Sequence, residues 1–293
     1  MRFISLIFWN DINNIGDLLS PFIINRLSGI PVKQKEIRYL NRRGKYRAVY
    51  DFLRNRIGFM KLINVLFSWK KDILGIGSIL SFGNNKCIIW GSGFMNYGEK
   101  FEGGKVCAVR GPLSNEQLIK NGFKGCSVFG DPALLLPLII ESASDDEKIY
   151  DVAIIPHWSE YDFFYEKYGA TYKILDVRTT KIEDFVHDLT LSKHVLSSSL
   201  HGIILSHAYN IPAIWIRHHD IETDGFKFYD YFSSVEIPFY NGIMNFDAFL
   251  CNHNWRQLFV LYKKYSLPRK NIRTIQRGLI SVAPFKVLSR FKY

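Results

Sequence analysis

No stretch of this chain approaches the roughly 20 consecutive apolar residues that a bilayer-spanning helix needs, so no helical span is expected. The first apolar run, Phe3 to Trp9, is short and leads into Asn10-Asp11 without a small-residue cleavage site. It therefore reads as a first strand rather than a secretory leader. None of the four cysteines, Cys87, Cys107, Cys126 and Cys251, has a C-x-x-C partner. A zinc site has little support, and buried free thiols in a reducing compartment are expected instead. His218-His219 lack the i, i+4 spacing of a helical metal pair, and no metal is assigned. No strand-like run is followed by G-x-G-x-x-G, so no dinucleotide site is assigned either. Internal repeats and low-complexity tracts are absent.

Acidic residues are missing where basic ones crowd. The net charge is +11, from 38 Lys and Arg against 27 Asp and Glu. Lys33 to Lys61 holds ten Lys or Arg with only Glu36 and Asp51, and Lys263 to Tyr293 holds nine with no acid. Such patches suit nucleic acid, anionic lipid or anionic substrates. No nucleic-acid motif accompanies them. Phe285, Leu288 and Phe291 alternate with Lys286, Arg290 and Lys292, the pattern of an interfacial amphipathic segment. A solvated basic face is the plainer reading of the same charges. Aromatic residues make up 15% of the chain, which suits sugar-stacking surfaces, although core packing accounts for most of them.

At 293 residues the chain has room for two domains of ordinary size. Apolar runs at Phe3–Trp9, Asp72–Ile76, Cys87–Trp90, Val106–Val109 and Ser127–Phe129 predict strands, and Gly16–Leu27 and Pro112–Asn121 predict helices. The polar, turn-rich segment 141–148 predicts a linker between residues 1–140 and 149–293. The alternation then restarts. Strands are expected at Val152–Ile155, Tyr172–Leu175, His194–Ser197 and Ala213–Ile216, with helices near Glu160–Tyr168, Lys181–Leu189 and His201–Tyr209. This alternation predicts an α/β protein of two Rossmann-like domains whose parallel sheets face a cleft. Long helical segments after Phe246 would complete the second domain and pack back on the first.

Candidate site residues cluster at expected strand ends, where open α/β sheets bind ligands. Asn14-Ile-Gly-Asp17 follows the first strand; Gly16 permits close backbone approach, and Asp17 either caps a helix or acts in the site. Gly75-Ile-Gly77-Ser78 and Gly91-Ser-Gly93 are strand-end glycines, or ordinary turns. Arg110, in Val109-Arg-Gly-Pro-Leu-Ser114, is placed to grip a carboxylate or phosphate by two parallel hydrogen bonds, or is a surface residue without a role. Ser197-Ser198-Ser199-Leu-His201-Gly202 is the most informative stretch: hydroxyls, a glycine and a histidine at a helix start make a phosphate cradle beside an acid/base group. A capped turn with a half-exposed His201 is the structural alternative. His157 is a second strand-end histidine, ranked lower.

Taken in order, these segments resemble the polysaccharide pyruvyl transferase family. The matching pieces are Asn14-Ile-Gly-Asp17, the glycines near Gly77 and Gly93, Val109-Arg-Gly-Pro-Leu-Ser114, Gly130-Asp-Pro-Ala-Leu-Leu-Leu136, Ser198-Ser-Leu-His-Gly202, Ala208-Tyr-Asn-Ile-Pro212, and Lys227 with Phe228 and Asp230. The resemblance spans roughly residues 10 to 235 and implies a fold similar to GT-B glycosyltransferases. It implies phosphoenolpyruvate as donor, no further cofactor, and a glycan hydroxyl pair as acceptor, joined as a pyruvate ketal with release of phosphate. It places Arg110, His201 and Lys227 in the cleft, with His201 as general acid or phosphate partner and Asp17 as the weaker candidate for the base. It also implies work in the cytoplasm, peripherally at an anionic inner-membrane surface, on lipid-linked precursors of surface polysaccharide. A nucleotide-sugar glycosyltransferase and a non-catalytic glycan- or lipid-binding protein are the competing readings. The basic insert at residues 33–71 is longer than the resemblance leads one to expect.

Overall fold

A computed structural model describes residues 3–9, 13–40, 42–67, 71–218 and 223–292. Short apolar runs form strands β1 (Ile4–Ile7), β2 (Val32–Lys35), β3 (Asp72–Leu74), β4 (Cys87–Trp90), β5 (Lys105–Ala108), β6 (Ala153–Ile155), β7 (Lys173–Ile174), β8 (Val195–Ser197) and β9 (Ala213–Trp215). They build two sheets, ordered β2-β1-β3-β4-β5 and β7-β6-β8-β9, with every strand pair parallel. All residues of β3, β6, β8 and β9 are buried, as expected of parallel strands covered on both faces. The protein is thus mixed α/β with two parallel sheets, compatible with a pair of Rossmann-like units.

The helices between strands are α1 (Ile15–Ser28), α2 (Arg42–Leu53), α3 (Phe59–Phe67), α4 (Pro112–Lys120), α5 (Tyr161–Tyr168), α6 (Ile182–Thr190) and α7 (Leu200–Ala208). After β9 come α8 (Phe226–Ser234), α9 (Phe246–Cys251), α10 (Trp255–Leu261) and α11 (Ile272–Ser281). Helix α1 starts where the Asn14 side chain accepts from the Gly16 amide at 3.1 Å, and it stops at Gly29, whose left-handed φ of 69° ends it. Pro21 inside α1 has no amide to offer the Asp17 carbonyl, so the first turn is only loosely tied to the second.

Strand order decides where a ligand can sit. The chain leaves β1 in one direction to β2 and returns on the other side to β3; likewise it leaves β6 for β7 and returns to β8. Each reversal opens a crevice beyond the carboxyl ends of the strands. Asn14–Asp17 follows β1 and Gly75–Ser78 follows β3. His157 follows β6, and Ser198–His201 follows β8. The two crevices supply the residues of one site.

A single apolar cluster runs through both halves, taking in Leu6, Ile15 and Leu135 with Ile155, Leu205, Phe232 and Leu279. Each such fully buried side chain stabilises the fold by about 1.5–3 kcal/mol. Helix α7 lies on the 3-10 turn Pro132–Leu138 of the first half. The chain after α10 returns to the first sheet: Trp90 donates its indole N–H to the Leu279 carbonyl at 2.9 Å, and Gln276 donates to the Leu134 carbonyl at 2.7 Å.

Several expectations need correction. Ser127–Phe129 is not a strand; Phe129 makes only an isolated bridge with Val109. The helices after Phe246 are short, because His253 adopts a left-handed φ of 54° and Pro268 precedes the Asn271 cap of α11. Cys251 is exposed and only Cys87 is fully buried, so the cysteines are free but not uniformly interior. The tail does not present an apolar face outward. Phe285 packs edge-on against Trp90 at 5.1 Å, Leu288 donates its amide to the Leu27 carbonyl, and Phe291 rests on the main core. Among the described residues no helix is long and apolar enough to cross a membrane.

Candidate functional site

Helix α7 begins in the β8–α7 turn, with Ser199 at its N-cap position. The Ser199 side chain makes no capping bond; Ser197 holds the turn instead, donating to Ile155 and Ser199 carbonyls and accepting from the Ser199 amide. The first helical bond runs from Ile203 to the Ser199 carbonyl. Among the described residues the amides of Leu200, His201 and Gly202 find no acceptor. Three unsatisfied donors and the positive end of a nine-residue helix favour an anion at this point. Gly202 sits tight against Ser197 and Ile155, so it serves the packing of the turn.

His201 projects from this turn toward α1. Any side chain at position 16 would collide with its imidazole, so Gly16 is required for the close approach of the two halves. The Nε2 atom of His201 is buried and has no hydrogen-bond partner. Burial, reinforced by the charges of Arg110 and Lys227, pushes the imidazole down to about 3, so it is neutral at physiological pH. Beside it, burial pushes the Asp17 carboxyl up to about 7 against the pull of Lys227. Gly77 lines the Asp17 side, and its carbonyl accepts from the Gly93 amide at 3.1 Å and from the Ser92 hydroxyl at 2.9 Å, which joins the two glycine turns.

Lys227, near the start of α8, faces the same space. Burial and the nearby Arg110 charge lower it to about 8, while Glu160 and Asp17 oppose that shift. Its ammonium lies 5.5 Å from the Phe228 ring centre and has no ion-pair partner among the described residues. Glu160 is buried, accepts from the Ser198 hydroxyl at 2.5 Å through one oxygen, and leaves the other oxygen unpaired. Ser198 also accepts from the His157 amide at 2.8 Å, which fixes the β6–α5 turn against the β8–α7 turn. His157 is lowered to about 4 by burial and by Lys227, and its Nδ1 pairs with Ser159 at 2.8 Å.

Arg110 departs from its expected part. It is fully buried, and its guanidinium is engaged by the protein: Nε donates to Asp230 at 2.9 Å, Nη1 to Ser78 at 2.6 Å and Nη2 to the Phe94 carbonyl at 2.6 Å. Gly93 makes room for it, since a side chain there would strike the guanidinium. Asp230 also takes the Ser114 amide and hydroxyl, both at 2.7 Å. The structure shows a buried Arg110–Asp230 pair that ties the first half to α8. Its charge still acts on His201 and Lys227. Asn14 is likewise occupied, as the cap of α1.

The fold thus gathers Asp17, His157, Ser198, Ser199, His201 and Lys227, with Gly16 and Gly77 as walls and Arg110 behind. Sequence reasoning missed three acids. Glu160 lies three residues after His157, a spacing that brings it under the same turn. Asp131 caps the Pro132–Leu138 turn through one oxygen, leaves the other unpaired and is raised by burial to about 6. Asp230 stands three residues after Lys227, yet nothing in the sequence pairs it with an arginine 120 positions away. Among the described residues no group of three His, Cys, Asp or Glu is arranged to hold a metal ion. What remains is a buried cluster with cationic and helix-terminal donors for an anion, beside a carboxyl raised to about 7 and an imidazole with an open nitrogen.

Comparison with known proteins agrees with this layout. A stretch of 171 residues, 55% of the chain, is 32% identical to an uncharacterized protein of Acanthamoeba polyphaga mimivirus, and covers 59% of that protein's length. The family model for polysaccharide pyruvyl transferase matches residues 14–220, from the cap of α1 to just beyond β9, and so contains both crevices and most of the residues described above. By that match the chain belongs to the polysaccharide pyruvyl transferase family.

Proposed function

We propose that the protein transfers the enolpyruvyl group of phosphoenolpyruvate to two hydroxyls of a sugar, forming a pyruvate ketal and releasing phosphate, on a GT-B-like frame. Family membership supports pyruvyl transfer to polysaccharide. The observation that carries the donor assignment is the juxtaposition of unpaired groups: three free α7 amides, Lys227, the open Nε2 of His201 and a protonatable Asp17. A small dianion with a second acidic group and a methylene that needs a proton fits that set. Burying such a ligand without matching cations would cost several kcal/mol. Lys227, the helix end and the field of Arg110 offset that cost.

The chemistry assigns itself to atoms. Asp17, near 7, is half protonated at neutral pH and supplies the proton that turns the methylene into a methyl. The first sugar hydroxyl adds to the resulting cationic C2 and gives its proton to neutral His201. A bound dianion offsets the fields of Arg110 and Lys227 at His201 and so raises its basicity. Phosphate leaves with the C–O electrons, held at the α7 terminus, and the second hydroxyl closes the ring on C2 and gives its proton to the Asp17 carboxylate, which restores the acid. Ser198 and Ser199 line the phosphate side. The acceptor is a lipid-linked or polymeric glycan, and the enzyme works in the cytoplasm.

A panel of sugar acceptors, with released phosphate and product mass as readouts, tests this. Phosphate should appear only when a suitable acceptor is present, and the product should gain pyruvate less water. Turnover of a nucleotide sugar with phosphoenolpyruvate inert would overturn it in favour of a glycosyltransferase.

A further inference from the structure

We infer that the hairpin of α2 and α3 is a docking surface for an anionic lipid bilayer. Helix α2 is amphipathic in an inverted sense. Its inner side, with Ala48, buried Asp51 and half-buried Phe52, joins Tyr39, Ile57 and Leu62 in a small core of its own. Its outer side carries Tyr46, Val49, Tyr50 and Leu53, at i, i+3, i+4 and i+7, and all four are exposed. The stripe continues across the connecting turn to Phe59 and Met60. Leu53, Phe59 and Met60, at 74%, 61% and 71% exposure, form its tip.

Exposed apolar residues scattered singly mean nothing, but a contiguous helical stripe marks an interaction site. The charges around it select the partner. Residues 42–61 hold seven Lys or Arg and one acid, Asp51, whose buried carboxylate accepts from Tyr39 at 2.9 Å and pairs with Arg56 at 3.5 Å and Arg47 at 3.9 Å, while Lys61 pairs with Glu36. Lys45, Arg47, Arg54, Arg56 and Lys61 are exposed around the stripe, and Arg54 lies over the Tyr50 ring at 4.7 Å, its charge left outward. Glu102 and Asp72 share a groove with Tyr46 and Val49, so the face that complements the acyl–headgroup boundary of an anionic leaflet is the tip, Leu53, Phe59 and Met60, with exposed Arg54 beside it. The tail offers less free apolar surface, because Phe285 and Phe291 are partly buried against the main core. The hairpin occupies the insert between β2 and β3, apart from the strand ends that carry the candidate site. Its binding is therefore measurable without turnover and does not rest on the pyruvyl-transfer reading.

Flotation of the full chain with vesicles of phosphatidylcholine alone, or with phosphatidylglycerol added at about one part in three, tests this surface. Binding is expected only with the anionic vesicles. Each basic residue at such a surface is worth about fivefold in affinity. Lys45→Gln and Arg54→Gln together, which leave the Asp51 pairs intact, should then weaken binding on the order of 30-fold, and raised salt should weaken it too. Leu53→Ser, Phe59→Ser and Met60→Ser together should weaken it at least tenfold while leaving the melting temperature unchanged, since all three are exposed. Phe291→Ser should leave vesicle binding intact. No binding to either vesicle, or binding indifferent to the apolar triple variant, would overturn the proposal. So would an apolar triple variant that changes only the oligomeric state by sedimentation velocity, which would make the stripe a protein–protein contact.

Discussion

Two sets of buried charges lie side by side between the sheets and are treated in opposite ways. Arg110 and Asp230 are fully buried and satisfied: the guanidinium has three protein acceptors, and the carboxylate receives Arg110 and both donors of Ser114. Asp17, His201, Glu160 and Lys227 are buried or nearly so, yet Nε2 of His201 and one oxygen of Glu160 have no partner, and Asp17 and Lys227 are pushed toward neutrality. Unpaired polar atoms in a folded interior are rare, because each costs about 1–3 kcal/mol. The satisfied set serves as framework, and the open set is the one the proposed donor would complete. The difference also separates Arg110 from Lys227, both of which the family resemblance placed in the cleft.

The largest expected effect comes from breaking the satisfied set. Asp230→Ala leaves Arg110 buried without its counter-charge and should destabilise the fold by about 3–5 kcal/mol, read from the denaturation midpoint. Replacing Arg110 and Asp230 together by apolar residues of similar volume should recover most of that loss. If the double variant were no more stable than Asp230→Ala, the pair would not be the framework described.

The open set should behave inversely. His201→Ala should reduce kcat about 10²–10⁴-fold in the phosphate-release assay, with little change in the denaturation midpoint. A variant of normal activity but lowered stability would make His201 structural. Lys227→Met should act mainly on the affinity for the anionic donor and should raise stability on the acid side of pH 8, because it removes a buried charge. Unfolding at pH 7 that is unchanged or easier would contradict the unpaired placement of Lys227.

Asp17 gives a pH test with a definite sign. Its folded value, about 7, lies above its ordinary value of 3.8, so the folded protein keeps a proton that the unfolded chain releases. The contribution of this group is complete below about pH 4 and is lost as pH rises toward 7. His201, lowered by burial, works in the opposite direction between pH 3 and 6.5, which is why the comparison needs a variant. Asn mimics the protonated carboxyl, so Asp17→Asn should match wild type near pH 4 and become steadily the more stable of the two as pH rises to 7. A difference independent of pH would place Asp17 in solvent.

The smallest effect sharpens the contrast between buried and exposed ties. Arg26 and Glu183 also join the two halves, at 2.6 Å, but both are exposed. Glu183→Gln should cost at most about 1 kcal/mol, against several for Asp230→Ala. Equal costs in the two variants would remove burial as the reason the Arg110 pair matters.

Much of this was legible in the sequence. The strand-end turns at Asn14–Asp17 and Ser198–Gly202 stand where the alternation of apolar runs put them, because parallel strands buried on both faces leave an unmistakable record. The position of the α7 start, with Ser199 at its N-cap, followed from the same placement. The division of labour among charges was not legible, because pairing of Arg110 with Asp230 is a contact between residues 120 apart that no local pattern encodes. Glu160 looked like the start of a surface helix until Ser198 was found above it. The packing of the tail was not legible for a related reason: alternating apolar and basic residues fit a protein groove as well as a membrane, and the contact of Phe285 with Trp90 is a long-range one. The exposed stripe on α2 was hidden inside a segment that read chiefly as charge.

The central claim is that the open set is a phosphoenolpyruvate site, and calorimetric titration tests it without any need to know the acceptor. Phosphoenolpyruvate should bind wild type saturably and bind Lys227→Met at least tenfold more weakly. At about 100 times its Kd it should stabilise the folded protein by roughly 2.7 kcal/mol. Nucleotide sugars should give no heat. Saturable binding of a nucleotide sugar with none of phosphoenolpyruvate, or equal phosphoenolpyruvate binding by wild type and Lys227→Met, would contradict the account.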